Sequence, residues 1–195
     1  MSPDSTVRRF GPAELERFLT AVDAHLAEPA EIILIGGGAA AVGFGVDVGT
    51  QDLDTFNSTT AALDAAVAAA QQDTGLMFPV GKAGVADAPY NYEERLKRVM
   101  SQLGRLVVRV LDKHDLALSK VVRGYEHDMQ QIEALHQTDA LDCDVLVERF
   151  LGEMAQAIGN PRMIALAFLE CIDRLFGDLA RDRAEKRLRA AKRLG

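Results

Sequence analysis

The chain has 195 residues, of which 48% are hydrophobic and 26% are charged, and its net charge is −7. This composition is that of a globular protein and excludes a disordered or collagen-like chain. Two cysteines without metal-ligand spacing exclude a disulfide-rich secreted fold. No apolar run approaches the roughly 20 residues of a membrane span, and the first residues lack a secretory signal. We therefore expect a cytoplasmic protein without a membrane partner.

The charge is distributed unevenly along the chain. Residues 1–92 contain 12 acidic and 4 basic residues, whereas residues 93–195 contain 17 acidic and 18 basic residues. From Arg174 onward the chain carries 8 basic and 3 acidic residues. The acidic total argues against broad nonspecific binding of nucleic acid. The basic end predicts either a local surface for a polyanion or partner, or a solvated helix face.

The first half of the chain predicts strands among helices. Apolar residues at spacings of three and four predict a helix over residues 11–27. The β-branched run that follows predicts a buried strand over residues 31–35. The next predicted elements, in chain order, are a short helix over 39–42, a strand over 51–56, a helix over 59–72, a loop with at most one short strand over 74–91, a helix over 92–102 and a strand over 105–111.

The second half is predicted to be helical. Asp112 has the position of an N-cap, and Gly124 is predicted to end the helix that Asp112 begins. Further helices are predicted over 126–136, 142–157 and 161–191, the last with a break at Gly177. Because the strands are confined to the first half, the order of elements predicts an α+β fold.

Six apolar residues recur along the C-terminal helices. We interpret them as the internal core of a helical bundle, with the surface of a homo-oligomer as the alternative. These residues are Leu146, Phe150, Met154, Ile164, Phe168 and Leu175.

The residues that predict chemistry are a glycine run and a pair of aspartates. Residues 36–38 are glycines that directly follow the first strand, and Asp52 and Asp54 lie on the next one. In a strand, residues i and i+2 share a face, so the two carboxylates are expected side by side. Close carboxylates repel unless a cation neutralises them, and Mg²⁺ accepts one or two carboxylates together with water and phosphate oxygens. The glycines leave room for backbone N–H groups near a phosphate, so the combination predicts phosphoryl or nucleotidyl transfer.

This combination resembles the signature of a known superfamily. Ile35-Gly36-Gly37-Gly38, a gap of 13 residues and Asp52-Leu53-Asp54 are similar to the motif of the DNA polymerase β-type nucleotidyltransferases. Residues 111–128 are similar to a second element of small bacterial nucleotidyltransferase-like proteins related to the AbiEii abortive-infection toxins. The resemblance covers about residues 30–135 and implies a small mixed sheet with flanking helices. It implies a nucleotidyltransferase-like core over residues 1–125, with a helical C-terminal region over 126–195 packed on it.

The resemblance implies a role for each matched residue. Gly37 and Gly38 would hold the triphosphate of a nucleoside triphosphate, Asp52 and Asp54 would bind Mg²⁺ as the catalytic pair, and Lys120 would contact phosphate. The implied reaction is attack of an acceptor hydroxyl on the α-phosphorus, with release of pyrophosphate. The acceptor is left open between a protein, a tRNA and a small molecule, and a toxin–antitoxin role is implied by the second element.

The strand over 105–111 departs from the family's pattern because it carries no acidic residue. Active members usually place a third carboxylate on a later strand beside the pair, and here Arg109 occupies that face. Asp112, just beyond the strand, is the candidate substitute, and Asp128 is expected to orient Lys120 or a helix. The sequence thus leaves open an active transferase and a catalytically inactive interaction protein of the same fold.

A different class of protein is the second alternative. Residues 36–41 match the GxGxxA fingerprint of dinucleotide-binding proteins directly after a strand. That interpretation predicts a Rossmann-type fold that binds NAD or FAD. It requires a parallel second strand, does not require the aspartate pair, and lacks the repeated alternation of strands and helices downstream.

Overall fold

A computed structural model describes residues 9–47, 49–84 and 87–194. The described residues form an α+β fold whose C-terminal half is helical, which confirms the predicted class. None of the described helices is long and apolar enough to cross a bilayer. The elements in chain order are α1 (Pro12–His25), β1 (Ala30–Leu34), α2 (Gly36–Phe44), β2 (Leu53–Thr55), α3 (Ala61–Thr74), β3 (Val80–Lys82), a 3-10 helix (Tyr92–Arg95), β4 (Lys97–Val99), β5 (Leu106–Val110), α4 (Lys113–Arg123), α5 (Glu126–Thr138), α6 (Cys143–Glu153), α7 (Pro161–Phe176) and α8 (Asp178–Ala190).

The strands form one mixed sheet in the order β3-β2-β1-β5-β4. Strand β1 is parallel to β5, with Leu34 opposite Val110, and antiparallel to β2, with Leu34 opposite Thr55. Strands β2 and β3 are parallel. A dinucleotide-binding βαβ unit needs its first two strands parallel. The antiparallel pairing of β1 with β2 therefore shows that the Rossmann-type alternative is wrong.

The chain divides into two compact units, and each is assembled from separate stretches of sequence. The first unit comprises Met1–Ala83 and Arg98–Val110, and the second comprises Gly84–Lys97 and Leu111–Gly195. Helix α4 thus belongs to the second unit. The domain boundary at residue 125 stays a prediction.

Helix α1 supplies much of the core of the first unit. Its apolar stripe of Leu15, Phe18, Leu19 and Val22 is buried. The ring of Phe18 lies 4.5 Å from that of Phe78, centroid to centroid. Burying each such side chain stabilises the fold by about 1.5–3 kcal/mol. The stripe that predicted this helix is therefore the stripe that packs.

Asp23 joins α1 to the start of β5. Its carboxylate accepts hydrogen bonds from the backbone N–H groups of Gly104 (3.1 Å), Arg105 (2.6 Å) and Leu106 (2.6 Å). Burial raises the pKa of Asp23, but these backbone hydrogen bonds outweigh burial and lower that pKa below its ordinary value. The same three contacts fix where the strand begins.

The second unit has its own core, built from the C-terminal helices. The rings of Phe150 and Phe168 stack with centroids 4.0 Å apart. Five of the six apolar residues singled out in the sequence are buried, and only Leu175 is half-buried. The interpretation as an internal core is confirmed for those five. Oligomerisation stays a prediction.

The helix expected over residues 92–102 is wrong. Only Tyr92–Arg95 turn as a 3-10 helix, and Lys97–Val99 form β4 at the edge of the sheet. The charged segment has helix-forming residues, but pairing with β5 overrides that local preference. Met100, at the end of β4, has a φ of +50°, which ends the strand in a turn.

Candidate functional site

The first turn of α2 consists entirely of glycines, so this helix begins earlier than the sequence predicted. Ile35 is the N-cap, and the first intrahelical bond runs from Ala39 N to Ile35 O at 3.2 Å. Gly36 has a φ of +64°, which favours glycine. The N–H groups of a helix's first turn have no carbonyl partner within the helix, and the positive end of the helix dipole lies there. This end of α2 therefore favours a negative charge.

Gly38 lets α2 approach β2 closely. A Cβ placed on Gly38 would lie 2.5 Å from Leu53 Cδ2, nearer than real Cβ contacts come. Leu53 is fully buried, as expected for the residue between the two aspartates. Because side chains alternate along a strand, Asp54 lies on the opposite face from Leu53.

The Asp54 carboxylate lies beside the glycine turn. Its Oδ2 is 3.5 Å from where a Cβ on Gly36 would be, and its backbone oxygen accepts a 3.0 Å hydrogen bond from Ile35 N. On the other side, Asp54 is in register with Gly81 of β3. No described atom lies within 4 Å of a Cβ placed on Gly81. Half-buried Asp54 therefore borders open space as well as the start of α2.

Asp52 lies just before β2, because this strand is shorter than the predicted 51–56. The side chain is exposed. The Thr50 hydroxyl donates to Asp52 O at 3.0 Å and to Asp52 Oδ1 at 3.5 Å. The backbone of Thr50 is paired in both directions with Phe10. These hydrogen bonds thus fix the backbone beside Asp52, whose side chain projects into solvent. Of the two aspartates, only Asp54 lies within β2 itself.

The two aspartates have the donor chemistry of a magnesium site. Mg²⁺ commonly takes one or two carboxylates and keeps its other positions for water and phosphate oxygens. An exposed Asp52 and a half-buried Asp54 next to open space fit that requirement. Within the described residues, no group of three or more His, Cys, Asp or Glu side chains is placed to hold a metal ion. The described residues therefore supply this site with a pair of carboxylates and with no larger cluster of those four residue types.

The sheet face that carries Asp54 also carries an ion pair that sequence reasoning missed. Arg109 is in register with Ile33, and its Nε lies 3.0 Å from Glu31 Oε2. Glu31 is four residues from Ile35 along β1, or roughly 13 Å, which is too far for it to join Asp54 on one metal. Arg109, which is paired with Glu31, thus occupies the position at which the family's pattern has an acidic residue.

Asp112 lies in the second unit and caps α4 as predicted. Its Oδ1 accepts from His114 N at 3.1 Å and from Arg149 Nη1 at 2.7 Å. His114 Nδ1 is 3.0 Å from the same oxygen. Burial raises the pKa of Asp112, but the hydrogen bonds from His114 and Arg149 outweigh it and hold that pKa far below its usual range.

A buried ionic network surrounds the first turn of α4. Asp115 is fully buried and accepts from Arg95 Nε at 2.8 Å and from Arg149 Nη1 at 2.8 Å. Arg95 also donates to Glu153 Oε2 at 2.7 Å. The partners are 20 to 58 residues apart in sequence, so no local motif indicates them. This network ties the segment before β4 to α4 and α6.

Lys120 and Asp128 are brought together between α4 and α5, also in the second unit. Lys120 is 2% exposed, and its Nζ lies 3.8 Å from Asp128 Oδ1. Lys120 also donates to Gln131, and Arg123 donates to Asp128. Asp128 Oδ2 is buried without a hydrogen-bond partner among the described residues. This burial supports a role for Lys120 in joining the two helices, while its contact with phosphate stays a prediction.

The chain matches a family of known proteins. A family model described as nucleotidyltransferase of unknown function (DUF6036) matches residues 13–172. No significant match was found among curated proteins or among solved structures. The matched stretch runs from the start of α1 into α7 and contains every site residue that the sequence predicted.

Proposed function

Since the chain belongs to this nucleotidyltransferase family, we propose that it transfers a nucleotide from a nucleoside triphosphate to an acceptor hydroxyl in a Mg²⁺-dependent reaction. One observation carries the proposal beyond the family: the Asp54 carboxylate lies beside the all-glycine first turn of α2, with open space at Gly81. A carboxylate for a cation and backbone N–H groups for an anion thus meet at one place, as binding of a metal–triphosphate complex requires.

The proposed roles follow from this arrangement. Asp52 and Asp54 hold the metal, and the N–H groups of the first turn, including those of Gly37 and Gly38, orient phosphate oxygens. Bound Mg²⁺ would stabilise the charge that develops on the leaving group. The acceptor oxygen forms a bond to the α-phosphorus, the bond from that phosphorus to the bridging oxygen breaks, and pyrophosphate leaves. The hydroxyl proton passes to solvent.

Thermal unfolding in the presence of each nucleoside triphosphate tests binding. We expect at least one of the four to raise the melting temperature with Mg²⁺ and not without it, by a few degrees at about 100 times its Kd. Asp54→Asn should abolish this shift, because the neutral amide lacks the negative charge with which a carboxylate binds Mg²⁺. Glu28→Gln is the matched control: it removes one exposed carboxylate of the same unit away from the site.

Incorporation of labelled nucleotide into an acceptor tests transfer. Protein, tRNA and small-molecule fractions serve as acceptors, and the label should be lost in both Asp52→Asn and Asp54→Asn but retained in Glu28→Gln. The absence of a Mg²⁺-dependent shift with every triphosphate, together with no incorporation, would contradict the proposal.

A second candidate function is binding of nucleotide without transfer. It is favoured by Arg109 of β5, which pairs with Glu31 of β1. The resemblance to active nucleotidyltransferases implies a carboxylate on this strand instead. A Mg²⁺-dependent shift that Asp54→Asn removes, with no labelled product from any acceptor class, would favour this candidate over the transferase.

A toxin role is the most specific part of the prediction. It rests on the resemblance of residues 111–128 to AbiEii-related proteins, and the description of the matched family does not mention a toxin. If the role is correct, production of the chain in bacteria arrests growth, and Asp54→Asn relieves the arrest. Relief by Glu28→Gln as well would show that the arrest does not depend on the proposed site.

A further inference from the structure

The second unit contains a cavity of about 520 Å³ that the proposed reaction does not use. It lies between the start of α7 and one face of α8 with the residues after it. Pro161, Leu166 and Leu169 give it an apolar wall. Leu166 is 44% exposed, so part of this apolar wall is open to solvent. Pockets of roughly 300–1,000 Å³ are the size that binds small molecules.

The charged side chains around this cavity are almost all basic. Those lining it are Arg162, Arg181, Arg189, Lys192, Arg193 and Glu185. Some of this charge is already engaged within the unit. Arg189 pairs with Glu185 at 2.6 Å, and Arg193 donates to the carbonyl of Leu151 at 3.1 Å.

Three of the basic side chains are left to act on a ligand. Arg162, Arg181 and Lys192 make no ion pair with any acidic side chain in the described part of the chain. They come from the start of α7, the first turn of α8 and the turn after α8, so three separate segments bring positive charge to the cavity. Such a group of unneutralised cations raises the local concentration of anions.

The local backbone holds these groups in place. Arg181, Glu185 and Arg189 are spaced by four residues and so lie on one face of α8. Lys192 has a φ of +56°, a backbone conformation that residues other than glycine rarely adopt. Asn160 caps α7 by accepting from Arg162 N at 3.0 Å, and the helix dipole adds to the positive potential there.

We propose that this pocket binds a small ligand that carries two or more phosphate groups. Its limited volume and apolar wall fit a compact molecule better than a long polymer. The chain as a whole is acidic, with a net charge of −7, which works against nonspecific binding of a polyanion along its surface. The ligand class follows from the three unpaired cations, which match the charge of a diphosphate or triphosphate group.

Calorimetric titration with inorganic tripolyphosphate in EDTA and low salt tests the proposal. We expect the parent protein to bind with a Kd of roughly 10 µM. Each of the single variants Arg181→Met and Lys192→Gly should raise this Kd about tenfold. Lys192→Gly removes a charge at a position that favours glycine, so its melting temperature should hold or rise while binding weakens. Arg183→Met is the matched control, because Arg183 is an exposed arginine of the same helix that does not line the cavity.

EDTA and one further variant separate this site from the proposed active site. Without Mg²⁺ the aspartate pair repels phosphates, so Asp54→Asn should bind tripolyphosphate as the parent does. Equal binding by the parent, Arg181→Met and Lys192→Gly would overturn the proposal, and so would equal weakening by Arg183→Met. Binding of single-stranded RNA without any binding of tripolyphosphate or ATP would also overturn it, in favour of a polymer surface.

Discussion

Gly38 is the residue on which the geometry of the candidate site depends most directly. A methyl group there would lie 2.5 Å from buried Leu53 Cδ2, so either that side chain or α2 must move. We expect Gly38→Ala to lower the free energy of unfolding by about 1–3 kcal/mol, as overpacking of a core does. The same shift should weaken Mg²⁺-dependent stabilisation by nucleotide, since Leu53 separates the two aspartates. Chemical denaturation and thermal shifts measure the two effects.

Gly81→Ala is the matched control for the effect of that substitution on stability. A Cβ on Gly81 meets no described atom within 4 Å, so its effect on stability should stay within about 0.5 kcal/mol. A Gly38→Ala protein as stable as the parent would show that α2 and β2 have room to separate.

The sequence predicts single residues well where their neighbours in sequence are also their neighbours in space. The glycine run and the aspartate pair stand out because the glycines directly follow β1 and the aspartates lie at the start of β2. Arg95 carries no such signal, because its partner Glu153 lies 58 residues away. The sequence indicates Arg109 because the strand over 105–111 has no acidic residue. Its partner Glu31 is identified only from the pairing of β1 with β5.

At the scale of elements, Arg95 holds the segment before β4 against α4 and α6. Replacing it by Met leaves the fully buried carboxylate of Asp115 with Arg149 as its remaining cation among the contacts described. We expect Arg95→Met to cost about 3 kcal/mol of unfolding free energy, because breaking one partner of a buried ion pair is expensive. Denaturation in urea measures this loss.

Arg174→Met is the control for a network of similar size at the surface. Arg174 binds Glu126 and Glu170, and both carboxylates are more than half exposed. Exposed ion pairs contribute about 1 kcal/mol or less, so the control should lose far less stability. Equal losses in the two variants would contradict the assignment of Arg95 as the more important link.

The same network sets the direction of the pH dependence. Asp112 and Glu153 have pKa values below their ordinary ones, so these carboxylates stay ionised in the folded chain when they are already protonated in the unfolded chain. Their contribution to stability is complete above about pH 5 and is lost as the pH falls below about 4. Unfolding curves recorded from pH 5 downward should show the decline, which is steepest below about pH 4.

Elements with a long apolar period are predicted more faithfully than short edge strands. The stripe on α1 and the β-branched run of β1 each repeat often enough to identify the element. Strand β4 has three residues, two of them exposed, so its sequence contains no alternation to detect. Its position depends on pairing in the sheet, which a local window cannot contain.

For the whole molecule, a fragment of residues 1–125 tests the predicted domain boundary. Such a fragment keeps α4 but removes α5, α6 and α7, against which α4 packs. Leu116, Leu118 and Val121 would lose their buried environment, at about 1.5–3 kcal/mol each. We expect α4 to be unfolded in this fragment while the first unit keeps its own core, as measured by hydrogen exchange of the α4 backbone amides. Strong protection of those amides would support a boundary at residue 125.

The pairing of β1 with β5 bears on the order in which the protein is built. Ala30 is in register with Leu106, so the two strands that meet near the middle of the sheet are separated by 76 residues. Contacts this distant in sequence slow folding, because a long loop must close before they form. During synthesis β1 and β2 leave the ribosome well before β5, with α2 between them in the chain. Until β5 emerges, the edge of β1 that pairs with β5 in the folded protein has no strand partner. The nascent chain therefore exposes an open strand edge during that interval.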